Sequence, residues 1–514
     1  MRIIITLEYI INFVVLALYY MHMFQLNSYF FKKHMHWANS NKKKIAIQSL
    51  LIIIATVFAL FNNIVTQILC ILVLGFSIFY NIPKEKSKIP LKFTNRVKRM
   101  FITELILAIL IFLVCGFNNF VFIKLFVLNI LSPILCVIVN VINSPIEILG
   151  RKRYINDAKK ILKNMPNLTV IGVTGSYGKT SVKNFLVQTL SSKYEVLTTP
   201  KNYNTTMGVV KTIRENLKPI HQIFVCEMGA TKPGDIKEIC DIVNPTIGVI
   251  TSIGPQHLES FKSIDNVIKT KFELADSVKN NNGIMFLNYD NEYIANHKID
   301  MKTISYGIEN SNLDYNAYNL NSTSKGLTFK MQDKNNVEFE FKTQLIGRHN
   351  ITNLAASIAV ANYLGVPFNK LSYSIKEIKS VEHRLQLLPH GDFTIIDDSY
   401  NSNPVSSKSA IDTLGEFEGT KIIVTPGLIE LGNDEAKYNF ELGEYATKVC
   451  DYIFIVESKN SKSIEDGAIS KGFDTEKIFK VNRPQDAIKQ ISDMPIHDKI
   501  TVLLENDLPD NYNV

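Results

Sequence analysis

Asn167-Leu-Thr-Val-Ile-Gly-Val-Thr-Gly-Ser-Tyr-Gly-Lys-Thr180 is an apolar, β-branched run that passes straight into a glycine turn, ahead of an amphipathic stretch beginning Ser181-Val182. Strand, turn and helix start together aim several backbone N–H groups and the positive end of a helix dipole at one point, which suits a phosphate. In that arrangement Gly175, Ser176, Tyr177, Gly178 and Ser181 form the cradle, Lys179 reaches the outer phosphates and the Thr180 hydroxyl takes Mg²⁺. Two residues separate the glycines here, where the common phosphate loop has four. An ordinary glycine turn with a surface lysine is the bland alternative. The strand before it and the helix after it argue against that, and ATP is the expected ligand.

Outward from this window the 514-residue chain changes character. Its first 150 residues hold five long apolar runs, 3–20, 45–61, 64–81, 101–117 and 120–142, each close to the length that spans a bilayer. A signal peptide accounts for one such run and not for four more. Lys32, Lys33 and Lys42–Lys44 lie between the first and second runs, Lys84 to Arg99 contributes seven more cations between the third and fourth, and Arg151, Lys152 and Arg153 follow the fifth. The other connections, at Asn62-Asn63 and Gly116–Asn119, carry no positive charge. Five spans with the N-terminus outside put every basic cluster, and the phosphate loop, on the cytoplasmic side of a cell membrane.

The same clusters explain the net charge of +8 and would attract anionic lipid headgroups, so a nucleic-acid partner is not needed. Cysteines 70, 115, 136, 226, 240 and 450 show no metal or redox spacing and read as reduced packing residues. Glu104, Lys124 and Glu147 are expected to snorkel from their helices.

After Arg153 short β-branched runs alternate with helical stretches, which predicts α/β layers on mainly parallel sheets. Strands are expected at 168–173, 223–227, 246–251 and 283–288, with helices at 181–191, near 234–242, at 264–279 and at 351–364. Two strands, 327–332 and 337–344, form a β excursion before Gly347. A linker at 366–383 then leads to a second block with strands 393–397, 421–425 and 452–456 and helices 404–415 and 436–449. The expected organisation is a membrane domain (1–150), a central ATP-binding domain with a phosphate-loop parallel sheet (151–380) and a Rossmann-like C-terminal α/β domain (381–514).

Three constellations belong with the glycine loop. Glu227 ends an apolar strand and is placed to hold Mg²⁺ directly or through water. His257 follows another strand end, on the expected ligand edge of the sheet, although a lone histidine is more often structural. Lys269-Thr-Lys-Phe-Glu273 lies on a helix, where its simplest reading is a solvated charged face.

Taken in order, Thr174–Thr180, Glu227-Met-Gly-Ala, Pro245–Thr251 leading to His257-Leu-Glu, Lys271-Phe-Glu273, Gly347-Arg-His-Asn-Ile-Thr-Asn353, and Arg384 followed by Asp397-Asp-Ser-Tyr-Asn-Ser-Asn-Pro404 resemble the Mur ligases over about residues 168–432. The last motif is closest to the branch that adds D-alanyl-D-alanine to a muramoyl tripeptide. The resemblance implies that ATP phosphorylates a carboxylate and that an amine attacks the acyl phosphate, with Lys179 offsetting phosphoryl charge and two Mg²⁺ ions in the site. It further implies that Thr180 and Glu227 hold metal, that His257 helps hold the second ion, and that Lys271 is carbamylated into a metal ligand. Asn353 then lies on the adenine side, and Arg384 and Asp398 are brought over the nucleotide by domain closure. Asn202 and Asn204 match a loop near the acyl acceptor, while Tyr400 and Asn401 fall on the substrate side of the last motif.

Two departures bear on the substrate. The soluble family members begin with a domain that grips a UDP-linked substrate, and here membrane runs stand in that place. Where the branch carries a Lys-Gly-Ser strand end, this chain reads Val502-Leu-Leu-Glu-Asn-Asp-Leu-Pro-Asp-Asn-Tyr512. The expectation is therefore an envelope-peptide ligase with an amino-acid or peptide amine and a carboxylate acceptor, UDP-linked or lipid-linked, working beside membrane lipids and other envelope-synthesis enzymes. A membrane-anchored amino-acid polymerase similar to poly-γ-glutamate synthetases and an ATP-driven transporter are the alternatives.

Overall fold

The apolar runs of the first 150 residues fold as helices: α1 (Arg2–Leu26), α2 (Phe31–Ser40), α3 (Lys42–Leu60), α4 (Ile64–Asn81), α5 (Asn95–Val114) and α6 (Val121–Lys163). The computed structural model describes residues 1–61, 63–82, 90–114, 121–200, 203–256, 258–400 and 403–506. By length and composition α1, α3, α4 and α6 are apolar enough to cross a membrane. The fourth run, 101–117, differs from expectation because α5 opens with Arg96, Lys98 and Arg99 and carries Glu104, and residues 115–117 of that run lie outside the described residues. The short α2 was not anticipated.

Amide and hydroxyl pairs join the helices of this unit. Asn12 Nδ2 donates to Asn129 Oδ1 at 2.9 Å, Ser77 Oγ donates to Asn12 Oδ1 at 3.0 Å, and Gln48 links Tyr20 to Asn81 at 2.5 and 2.6 Å. Such bonds satisfy polar side chains buried among apolar helices. Pro145 lacks an N–H, and Ser144 Oγ takes up the Val141 carbonyl at 2.7 Å. Glu104 and Lys124 do not snorkel: both are buried, with Lys124 Nζ 5.1 Å from the centre of the Phe112 ring. Glu147 pairs with Arg99.

The chain divides into compact units between Lys152 and Arg153. The second unit holds two sheets. The strands are β1 (Thr169–Thr174), β2 (Val196–Thr198), β3 (Ile223–Glu227), β4 (Ile247–Ile250), β5 (Ile284–Asn288), β6 (Thr303–Ile308), β7 (Tyr315–Thr323), β8 (Gly326–Asp333) and β9 (Glu338–Thr343), followed by β10 (Gln386–His390), β11 (Phe393–Asp398), β12 (Thr420–Thr425), β13 (Tyr452–Val456), β14 (Ile478–Val481) and β15 (Ile500–Glu505). The first sheet has the order β2-β3-β1-β4-β5-β6-β7-β8-β9, parallel as far as β7 and antiparallel beyond it. The second runs β10-β11-β15-β12-β13-β14, parallel except for the edge strand β10.

Alternation of side chains gives each sheet two cores. Ile171, Val173, Val225 and Val249 face the helices Lys179–Leu190 and His349–Tyr363, whereas Val170, Phe224, Cys226 and Ile250 face helices Thr206–Asn216, Asp235–Val243 and Ile264–Asn280. The β excursion proves larger than the two strands expected, since β6 and β7 carry the sheet into it. Within 366–383, read as a linker, Phe368–Lys376 is a helix that buries Phe368, Leu371 and Ile375. The described cysteines 70, 136, 226, 240 and 450 are free and buried.

Candidate active site

Parallel strands deliver their C-terminal ends to one edge of a sheet, and the chain's chemistry gathers there. β1 ends at Thr174, the loop turns through Gly178 at φ +77°, and the helix Lys179–Leu190 begins. Gly178 is required twice: its backbone is left-handed, and a Cβ would lie 2.5 Å from Asn353 Oδ1. The loop is tied to the ends of neighbouring strands. Ser176 N donates to Ser252 O at 2.6 Å, Ser176 Oγ meets Gly254 O at 3.1 Å, Tyr177 Oη donates to Pro255 O at 2.9 Å, and the Thr251 hydroxyl donates to Tyr177 O. Lys179 Nζ folds back onto the loop carbonyls of Gly175 and Ser176 at 2.7 and 2.8 Å. Burial pulls the Lys179 ammonium down to about 8, against the opposing pull of the Glu227 carboxylate.

Glu227 stands at the end of β3 and is 1% exposed. Its Oε1 accepts from Thr180 Oγ1 at 3.1 Å and from Asn204 Nδ2 at 3.0 Å, and its Oε2 lies 3.1 Å from Lys183 Nζ. Mg²⁺ holds oxygen ligands at about 2.0–2.1 Å in octahedral geometry, so adjacent ligands lie about 2.9 Å apart. The Thr180 and Glu227 oxygens have that spacing and that chemistry, and the residues fit the ion. Among the described residues no cluster of three or more His, Cys, Asp or Glu side chains could hold a metal by itself. Lys271, on the helix Ile264–Asn280, is buried, not solvated as a charged face would be. Burial and the nearby Lys179 cation hold its amine well below the usual lysine range. Glu273, by contrast, caps the helix Asp235–Val243, accepting from Gly234 N at 2.7 Å and Lys237 N at 2.8 Å.

Just before β10, Arg384 sits where it lowers the affinity of Lys179 for its proton, with its guanidinium 4.7 Å from the Tyr400 ring centre. Asp398 Oδ1 accepts from Leu385 N at 3.2 Å. Burial raises the Asp398 carboxyl to about 6, and Arg384 opposes that rise. Asn353 lies on the helix His349–Tyr363 beside the glycine loop, and Ser181 continues the helix after it. His257, Asn202 and Asn401 lie outside the described residues.

Residues 173–361 match the Mur ligase middle domain, and residues 383–504 match the Mur ligase, glutamate ligase domain. The chain belongs to the Mur ligase family. Two relatives are UDP-N-acetylmuramoyl-tripeptide–D-alanyl-D-alanine ligases. The one from Buchnera aphidicola subsp. Baizongia pistaciae is 32% identical over 286 residues, which is 55% of this chain and 61% of that protein. The one from Bacillus subtilis is 28% identical over 328 residues, 63% of this chain and 70% of that protein. The chain thus spans 61–70% of the length of these curated relatives. Among solved structures, MurF ligase from Thermotoga maritima in complex with ADP has a TM-score of 0.61 at 26% identity and covers 70% of this chain and 80% of that one.

Sequence reasoning passed over two parts of this Mur ligase site. Lys183, one helical turn beyond Lys179, is buried against Glu227. His383 stands at φ +59° next to Arg384, its Nδ1 2.7 Å from Asp397 Oδ2. Its position beside an arginine already singled out was the available signal.

Proposed function

We propose that this Mur ligase is an ATP-dependent amide ligase of cell-envelope peptide synthesis, anchored by five spans with its N-terminus outside and its two α/β domains, 151–380 and 381–514, on the cytoplasmic side. The observation that carries the reading is that Lys179, Thr180 and Glu227 meet at the ends of β1 and β3, with buried Lys271 of the helix Ile264–Asn280 and Arg384, just before β10, near enough to interact electrostatically with Lys179. An acceptor carboxylate attacks the terminal phosphorus of ATP, forming an acyl phosphate and releasing ADP. The amine then attacks the acyl carbon, phosphate leaves, and the amine gives up a proton. D-alanyl-D-alanine and a UDP-muramoyl tripeptide, the substrates in the relatives' names, are the first pair to test, with a lipid-linked acceptor beside them.

Each residue has a part in this scheme. The amides of Gly175–Ser181 and Lys179 cradle the phosphates and offset their charge. Thr180 and Glu227 would hold one Mg²⁺, and His257 with Lys271 would hold a second; such ions would supply positive charge against the phosphates. Burial supports the part given to Lys271, because it disfavours the ammonium, and the neutral amine is the form that adds to CO₂ and loses a proton to give a carbamate. Asn353 takes the adenine side, and Arg384 and Asp398 close over the nucleotide. Asn202 and Asn204 border the acceptor, Tyr400 and Asn401 the amine. The bond from Asn204 to Glu227 supports that placement by tying the acceptor loop to the metal carboxylate.

Phosphate release by the detergent-solubilised full chain, measured against a panel of acceptors and amines, tests the reading. Release is expected only with Mg²⁺-ATP, acceptor and amine all present, with a loss of about 10²-fold or more in Lys179→Ala. Lys271→Ala is expected to be inactive until short carboxylic acids are added. Release without an amine, or a Lys271→Ala enzyme that needs no such acid, would refute the scheme.

A further inference from the structure

Lys183 is 1% exposed, on the helix that begins at the phosphate loop. Its Nζ lies 3.1 Å from Glu227 Oε2 and donates to Thr199 O at 3.1 Å. Thr199 Oγ1 also accepts the Glu227 N–H at 3.1 Å, so one residue steadies both the lysine head and the glutamate backbone. The two oxygens of the carboxylate thus face different partners: Oε2 an ammonium, Oε1 the Thr180 hydroxyl and the Asn204 amide. A buried ion pair of this kind is a poor source of stability, because desolvation offsets most of its Coulomb gain. Here one member also stands at a prospective metal seat.

We propose that Lys183 is a positioning residue for the metal-binding carboxylate. By engaging Oε2 it leaves Glu227 a single oxygen, Oε1, to offer Mg²⁺. A fixed positive charge beside the seat also weakens the hold on the ion, since like charges in a poorly solvated site repel. The inference rests on the reading of Glu227 as a metal ligand given above.

The test compares the full chain in detergent with Lys183→Met and Lys183→Gln. Metal binding is read as the Mg²⁺ concentration giving half of the thermal stabilisation by ADP, alongside kcat and KM. Both variants are expected to need about tenfold less Mg²⁺, the direction set by removing a nearby cation, and to lose kcat with little change in KM for ATP. A lysine that served stability alone would lower the melting temperature and leave the Mg²⁺ midpoint where it was, and an unmoved midpoint in a folded variant overturns the proposal. Lys183→Gln retains a donor for Thr199 O and carries the test should Lys183→Met not fold. Glu227→Gln separates the two failures. If it too leaves the midpoint at the wild-type value, the metal role of Glu227 is wrong; if it weakens Mg²⁺ binding while the Lys183 variants do not move it, only the role of Lys183 is.

Discussion

Two side chains of the site titrate in opposite senses from their ordinary values, and each has a separate effect on folding and on binding. Burial raises Asp398 to about 6, so between the usual carboxylate range and pH 6 the folded chain holds a proton that the unfolded chain has released, and this group subtracts stability as pH rises through that window. Burial lowers Lys179 to about 8, so its cost to the fold is fully present below pH 8 and is relieved as pH climbs towards the usual lysine range. In the proposed scheme nucleotide binding uses the charged forms, Asp398 anionic opposite Arg384 and Lys179 cationic toward phosphate. Affinity for ADP, measured by fluorescence titration, is therefore expected to rise through about pH 6 and to fall above about pH 8. Asp398→Asn should flatten the acid limb and leave the alkaline limb in place.

At the scale of elements, close approach of helices is written in glycine. The helices Glu435–Ala446 and Ser461–Ser470 cross where a Cβ on Gly443 would strike Ile464 O and one on Gly467 would strike Phe440 O. Gly467→Val is expected to cost about 3 kcal/mol, since backbone leaves no room for overpacking to relax, and to show as a lowered thermal midpoint. Neither glycine was legible as a contact, because a sequence does not say which helices meet. Other elements were legible for a physical reason. β1, β3, β4 and β13 are buried on both faces and read as continuous apolar runs. β2 spans three residues, Val196–Thr198, too few to carry a period. β15 lies between β11 and β12 in the middle of its sheet, yet the sequence marked it only as a place where an expected basic end is acidic. Candidate residues could be named from the sequence wherever a residue type is tied to a motif, as at Lys179, Thr180, Glu227, Arg384 and Asp398. The site was illegible at Lys183, whose burial depends on a strand that arrives 40 residues later, at Glu227.

For the whole molecule, anchoring and chemistry can be separated by removing residues 1–150. If the acceptor is held at the membrane, the soluble remainder is expected to keep nucleotide binding while losing at least tenfold in kcat/KM for a lipid-linked acceptor; that size is what losing roughly 1.4 kcal/mol of acceptor binding would give. Equal turnover of a soluble UDP-linked acceptor by both forms would show instead that the spans serve location alone. The bundle itself sets an order of events. The Asn12 amide finds its partner at Asn129, and Asn129 Nδ2 in turn reaches back to Tyr9 O at 3.2 Å, so the first helix of the chain is sealed by the last of the apolar ones. If these helices span a membrane as proposed, a ribosome delivers them in sequence, and the Asn12 side chain waits in the bilayer without that partner until α6 has been inserted. In that case the segment bearing the glycine loop emerges only afterwards, so the proposed ligase half forms on an anchor that is able to close.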